Sequence, residues 1–209
     1  MSTISQNTHK SASKLIFSST ELEELSLPFN RTHEVCGPSR RAFSLMLASL
    51  RKGPILWIKS QWYRQNLNAQ GIIKFLDPGR ITFIETKRTD DILWCMEEIL
   101  RSGCIPTVIA ECDTPPPLTP IRRLHLAAKY GAQINKEKLL PLILTPSNGG
   151  AQGIETRWHM SPRHNAISNR WLIERRRART SPPAAWTLDW QCNEADTVPT
   201  APVRTITAK

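Results

Sequence analysis

The chain has 209 residues, 40% apolar and 22% charged. This suits one domain with a real core and excludes collagen-like or wholly disordered composition. Lys and Arg number 28 against 18 Asp and Glu, a formal net charge of +10 that points to an anionic partner: nucleic acid, a membrane surface or an acidic protein face. No apolar stretch approaches the roughly 20 residues that a membrane span needs. The first fourteen residues lack the apolar centre of a signal peptide, so the reading is a cytoplasmic protein with no membrane contact. The five cysteines, Cys36, Cys95, Cys104, Cys112 and Cys192, contain no CxxC pair and are odd in number. They read as single thiols in a reducing compartment.

Residues 1–18 read as a polar, disordered tail. Thr20 and Glu23 have capping-box spacing and predict a short helix. Arg31 to Cys36 predicts a strand that ends at Gly37-Pro38. Ser39 to Leu50 follows as a helix, with Phe43, Met46, Leu47 and Leu50 on one face. Pro54 to Ile58 is a continuous apolar run, as in a strand covered on both sides. Gln61 to Leu67 carries no clear period. Asp77-Pro78-Gly79 signals a turn before a strand over Arg80 to Glu85.

Thr89 to Arg101 predicts a helix capped by Thr89, favoured by Asp90 and Asp91 at its N-terminus and stopped by Gly103. Its apolar stripe is Ile92, Met96, Ile99 and Leu100. Thr107 to Cys112 reads as a buried strand. After Pro115-Pro116-Pro117, Thr119 and Pro120 open a helix that Gly131 closes. Leu139 to Leu144 is a strand interrupted by Pro141, and Ser147 to Gly153 a flexible polar loop. Thr156–Met160, Trp171–Arg177 and Trp186–Gln191 read as late antiparallel strands, and 193–209 as a loose tail. Alternating strands and helices predict βαβ units on a mainly parallel sheet, with Arg31–Cys36, Ile55–Ile58, Arg80–Glu85 and Thr107–Cys112 side by side and an antiparallel edge added by the late strands.

A strand, then Gly37, then a helix occupies the place of a phosphate loop, whose pattern is Gly-x-x-x-x-Gly-Lys-Ser/Thr. The residues here are Gly37, Pro38, Ser39, Arg40, Arg41, Ala42, Phe43 and Ser44. The first glycine and the final hydroxyl are present. Ala42 replaces the second glycine, and Phe43 replaces the lysine that would place a charge on the terminal phosphates. Phe43 is expected to pack inward. Arg40 and Arg41 remain able to meet an anion at a helix N-terminus.

The stretches RTHEVCGPSRRAFS and IETKRTDDILWCMEEILRSGCIPTVIAEC resemble the RecA recombinase fold. Over Arg31–Trp190 the chain more closely resembles the ImuA family, RecA-like proteins of an inducible mutasome cassette that are related to the SulA division inhibitors. The motifs HEVCGP, PILWI, WCMEEILRSG, IRRLHLAAKYG, RWHMSPR and NRWLIERRRAR…WTLDW carry the resemblance by their order and spacing. It implies a RecA-like three-layer α/β/α domain over 19–192. By the same resemblance, Ser60 and Gln61 stand where RecA has its catalytic glutamate, Glu111 falls at the Walker B acid, Ser44 at the metal-binding hydroxyl, and the DNA-gripping loop is shortened to Ser147–Gly153. Half of the nucleotide functions are thus missing in type, and no catalytic residue, metal or cofactor is expected. The implied role is an accessory factor of damage-induced, error-prone translesion synthesis and DNA repair. The implied partners are an ImuB-like Y-family polymerase homologue and an error-prone replicative-type polymerase complex, with RecA or single-stranded DNA as further candidates. A SulA-like inhibitor of cell division and a non-standard ATPase are the competing readings.

Arg163, Arg170, Arg175, Arg176, Arg177 and Arg179 lie close together with Glu174 as their one acid. They read either as a contact for phosphates or an acidic partner, or as a solvated surface, and strand alternation forbids all of them one face. Trp186 and Trp190 are candidates for the apolar centre of such an interface. Trp57, Trp94 and, as its alternative, Trp190 read as core, and Trp62, beside Tyr63 and Arg64, as a surface contact. His33, His125, His159 and His164 have no metal-ligand spacing and read as structural.

Overall fold

The computed structural model describes residues 14–16, 25–63, 66–165, 169–191 and 203–208. The helix expected at Thr20, and Cys192, lie outside the described residues. Strands β1 (Lys14–Ile16) and β2 (Ser26–Pro28) form a small antiparallel pair. Strand β3 (His33–Cys36) turns at once into α1 (Arg40–Ser49). Then come β4 (Ile55–Ser60), the single turn α2 (Ala69–Ile72), a 3-10 turn at Pro78–Arg80, β5 (Ile81–Thr86) and α3 (Thr89–Ser102). They are followed by β6 (Thr107–Glu111), α4 (Leu118–Asn135) and β7 (Leu140–Leu144). The chain ends in β8 (Thr156–Pro162), β9 (Arg170–Ala178), β10 (Ala184–Gln191) and β11 (Val203–Ala208).

Nine strands make one sheet in the order β11-β10-β9-β8-β3-β7-β6-β4-β5. Strands β8 to β5 of that order run parallel. Strands β9, β10 and β11 add the antiparallel edge. Alternate residues of each buried strand serve two cores. Trp57, Ile109 and Leu142 join Phe43, Met46 and Leu47 of α1 on one face. Ile58, Val108, Ala110 and Ile143 join Ile92, Met96 and Leu100 of α3 and Ile121 and Leu124 of α4 on the other. The fold is therefore the three-layer α/β/α arrangement with a mainly parallel sheet. No helix among the described residues is long and apolar enough to cross a membrane.

Several local expectations are corrected. β3 and β4 are not neighbours, because the fully buried β6 and β7 are inserted between them. Lys14–Ile16 and Val203–Ala208, assigned to loose tails, are paired strands. Pro141 does not interrupt β7, which pairs continuously with β6 through it. Arg88, not Thr89, holds the extended cap position of α3, while Asp90 and Asp91 fill the first turn and Gly103 ends it at φ 69°. Helix α4 starts at Leu118 and runs past Gly131 to Asn135. Gly131 serves close packing instead: a Cβ there would lie 2.0 Å from the Leu100 carbonyl oxygen and 2.8 Å from the Gly103 nitrogen. Trp94 is 61% exposed, so the period that placed it in the core misled.

Candidate functional site

The loop between β3 and α1 is only Gly37, Pro38 and Ser39 long. Gly37 adopts φ 91°, and a Cβ on it would meet the Met160 carbonyl oxygen at 2.6 Å and the His159 ring at 2.8 Å. The Gly37 N–H donates to Ser147 O (2.9 Å) and the Ser39 N–H to Met160 O (3.1 Å). The Arg40 N–H turns back to Gly37 O (3.3 Å), and Pro38 has no N–H. The amides of Gly37, Ser39 and Arg40, in the stretch where a phosphate loop aims N–H groups at its ligand, are here bonded to carbonyls of the same chain.

The side chains after the loop are committed as well. Phe43 is fully buried, as expected, with its ring 6.2 Å from that of Trp158. Ala42 packs against the same core. Ser44 is fully buried, and its hydroxyl donates to Arg40 O at 3.0 Å, so it turns back on its own helix, and burial, not that bond, sets it against the metal-binding role implied for it. Arg40 donates to the Tyr63 hydroxyl (2.8 Å) and to Gly37 O. Arg41 does not point to an outside anion. Its Nε lies 3.0 Å from both Glu111 carboxylate oxygens, and a terminal nitrogen lies 2.9 Å from Oε2. The guanidinium also sits 4.9 Å from the centre of the Tyr63 ring.

Glu111 ends β6 with its side chain 4% exposed. Besides Arg41 it accepts the indole N–H of Trp57 at 2.7 Å. The parallel register explains the meeting: Trp57 of β4 pairs with Ile109 of β6, which puts its ring over the end of β6. The acid expected to touch a metal is thus enclosed by an arginine and an indole. Ser60 at the end of β4 is buried, and its hydroxyl accepts the Trp62 N–H. Sequence reasoning missed Tyr63, which falls in the stretch without a period, and missed Trp57 as a hydrogen-bond donor.

The loop 147–153 is not loose. Glu34 of β3 is fully buried and accepts the Thr145 hydroxyl (2.7 Å) and the N–H groups of Gly150 (2.8 Å) and Ala151 (3.0 Å). Arg157 pairs with the same carboxylate and donates to Ala151 O. His125 adds a second anchor, its Nε2 3.0 Å from Gly153 O while its Nδ1 accepts the Thr32 N–H. A glutamate in the short buried HEVC strand was the available signal, since a buried carboxylate requires donors. Burial, with the Glu34 charge next, pushes the neighbouring Cys36 thiol up to about 12, so it is inert. Burial also lowers His159, assisted by Arg176 and opposed by Glu174. Its Nδ1 is 3.1 Å from Glu174 Oε2 but lacks hydrogen-bond alignment.

The basic cluster is divided by the fold. Arg176 is the extra residue of a β-bulge, since Arg175 pairs with Trp158 and Arg177 with Arg157. Arg175 is 3% exposed and lies over the rings of Trp158 (5.9 Å) and Trp186 (5.2 Å), donating to Pro182 O. It is a core residue, not part of an exposed edge, because it continues the inward alternation of Trp171 and Ile173. Trp186 is buried too and packs 5.8 Å from Trp158, which removes it from any exposed interface. Arg176 bonds Asn148 and Glu174. Arg179 reaches Glu155, Arg170 reaches Asp189, and Arg177 is exposed. The Trp190 side chain lies outside the described residues. Among the described residues no three His, Cys, Asp or Glu side chains converge as a metal site. No protein-family model and no curated protein sequence matches the chain.

Proposed function

We propose that this chain is a non-hydrolytic RecA-like adaptor of the ImuA type, which works by binding protein partners in damage-tolerant DNA synthesis. The observation that supports the reading is the Arg41–Glu111–Trp57 lock at the place of the nucleotide site. A nucleotide–metal group fits these residues poorly: the acid is paired with an internal cation, the amides of Gly37 and Ser39 face carbonyls, and Phe43 supplies no charge to a phosphate. What remains is an α/β/α scaffold in a chain of net charge +10, suited to holding partners. The partners this reading names are the ImuB-like polymerase homologue and, through it, the error-prone replicative-type polymerase.

The test is co-elution of the purified chain with an ImuB-like polymerase homologue, with and without Mg-ATP. The reading predicts a complex that forms without nucleotide and is unchanged by it. A complex that requires ATP, or no complex at all, contradicts it.

A further inference from the structure

Helices α3 and α4 lie side by side on one face of the sheet and touch at Gly103 and Gly131, where a side chain on either glycine would collide with backbone. Away from that contact, two cavities of about 340 and 450 Å³ lie along the helices and share Glu97 and Arg123. Leu93, Trp94, Pro117 and Pro120 line the first, and Leu126, Ala127 and Tyr130 the second. Four of the seven large exposed apolar side chains among the described residues belong to this surface: Trp94 (61%), Leu126 (68%), Tyr130 (55%) and Ile134 (55%). Leu126, Tyr130 and Ile134 recur every four residues, which makes one stripe about 12 Å long on α4 at 1.5 Å per residue. An apolar stripe of this kind with a polar rim marks a contact surface.

The rim says what fits. Arg101, Arg122, Arg123 and Lys129 are exposed around the stripe, against Glu98 and Asp90. Glu97 is buried and its carboxylate offsets Arg101 and Arg123, with which it pairs, so the open positive charge of the rim is that of Arg122 and Lys129 on α4, a helix that holds no acidic residue. A second copy of the chain would set these cations against their own kind. A nucleic acid would use the cations and the two aromatic rings but leave Leu126 and Ile134 against phosphate and sugar. An acidic amphipathic helix satisfies both the groove and the rim. We infer that the α3–α4 groove docks an acidic amphipathic helix of a protein partner, with Trp94, Leu126 and Tyr130 as its apolar anchors. This rests on the adaptor reading above, and names the surface that the reading needs.

The test uses the full chain, the ImuB-like homologue, and fluorescently labelled peptides tiled across that homologue. Three variants are compared with the parent: Leu126→Arg, Tyr130→Ala and the pair Arg122→Glu/Lys129→Glu. All four positions are exposed, and an unchanged urea midpoint establishes that each variant folds. The expected result is that the peptides which bind are acidic and amphipathic, and that each variant weakens them about tenfold or more, as hot-spot residues do. A complex with the whole homologue that forms equally well in all three variants overturns the groove while leaving the adaptor reading intact. Absence of any complex overturns the adaptor reading itself. Binding of oligothymidylate that the same variants abolish, or a parent dimer that Leu126→Arg splits, assigns the groove to nucleic acid or to a second copy and overturns the inference.

Discussion

Replacing Arg41 with methionine tests the lock beside the β3–α1 loop. The substitution keeps most of the aliphatic volume and removes the charge. It leaves the Glu111 carboxylate, 4% exposed, without its cation and with the Trp57 indole N–H still donating to it. Removing one partner of a buried ion pair costs about 3–5 kcal/mol. The Arg41 side chain is 19% exposed, so water reaches the vacated side and the lower end, about 3 kcal/mol, applies. Glu111→Gln keeps an acceptor for Trp57 and leaves a guanidinium that solvent already touches, so it costs less, about 1–2 kcal/mol. The double variant Arg41→Met/Glu111→Gln removes the orphaned charge and is more stable than the sum of the two losses predicts, by about 2 kcal/mol. Urea unfolding of the four proteins, with a common m-value, measures the cycle. An Arg41→Met loss below about 0.5 kcal/mol, or strict additivity, refutes the lock as a structural unit.

Three further outcomes follow from the packing. Gly131→Ala forces α3 and α4 apart at the Leu100 carbonyl and lowers stability by about 3 kcal/mol, read as a drop in the urea midpoint. Within the basic cluster, Arg175→Ala costs about 2 kcal/mol because it empties the space over two indoles, whereas Arg177→Ala stays within about 0.5 kcal/mol. Charge reversal for binding studies therefore belongs at Arg176, Arg177 and Arg179. Burial holds His33 at about 4, helped by the nearby His125 and opposed by the bond to Pro28 O. Its folded pKa lies below its unfolded one, so the unfolded chain binds more protons between about 6.5 and 4. Stability is full above that window and falls by roughly 3 kcal/mol as pH drops through it. His33→Gln, compared with the parent across the same range, flattens that slope, and a slope unchanged by the substitution contradicts the assignment.

The layer order was readable from the chain because apolar runs such as Ile55–Ile58 and Thr107–Cys112 are too continuous for a one-sided sheet, and because Gly103 stops α3 where the period ends. That the β3–α1 loop lacks the lysine of a phosphate-loop pattern was readable from one position, Phe43, whose burial follows from its helical face. The partner of Glu111 was not. Arg41 and Glu111 are seventy residues apart, and only the sheet order, with β7 and β6 inserted beside β3, brings α1 over the end of β6. Arg175 misled for a related reason: a run of three arginines reads as surface, and only the bulge at Arg176 fixes which of them points inward. Gly131 misled because a glycine near the end of a helical period has the same local signature whether it stops the helix or lets another backbone approach.

Titration of Mg-ATP into the purified chain by calorimetry tests the central claim most directly. The internal Arg41–Glu111 pair and the occupied amides of Gly37 and Ser39 predict no saturable heat and no phosphate release at millimolar nucleotide. Stoichiometric binding together with a turnover that disappears in Glu111→Gln contradicts it.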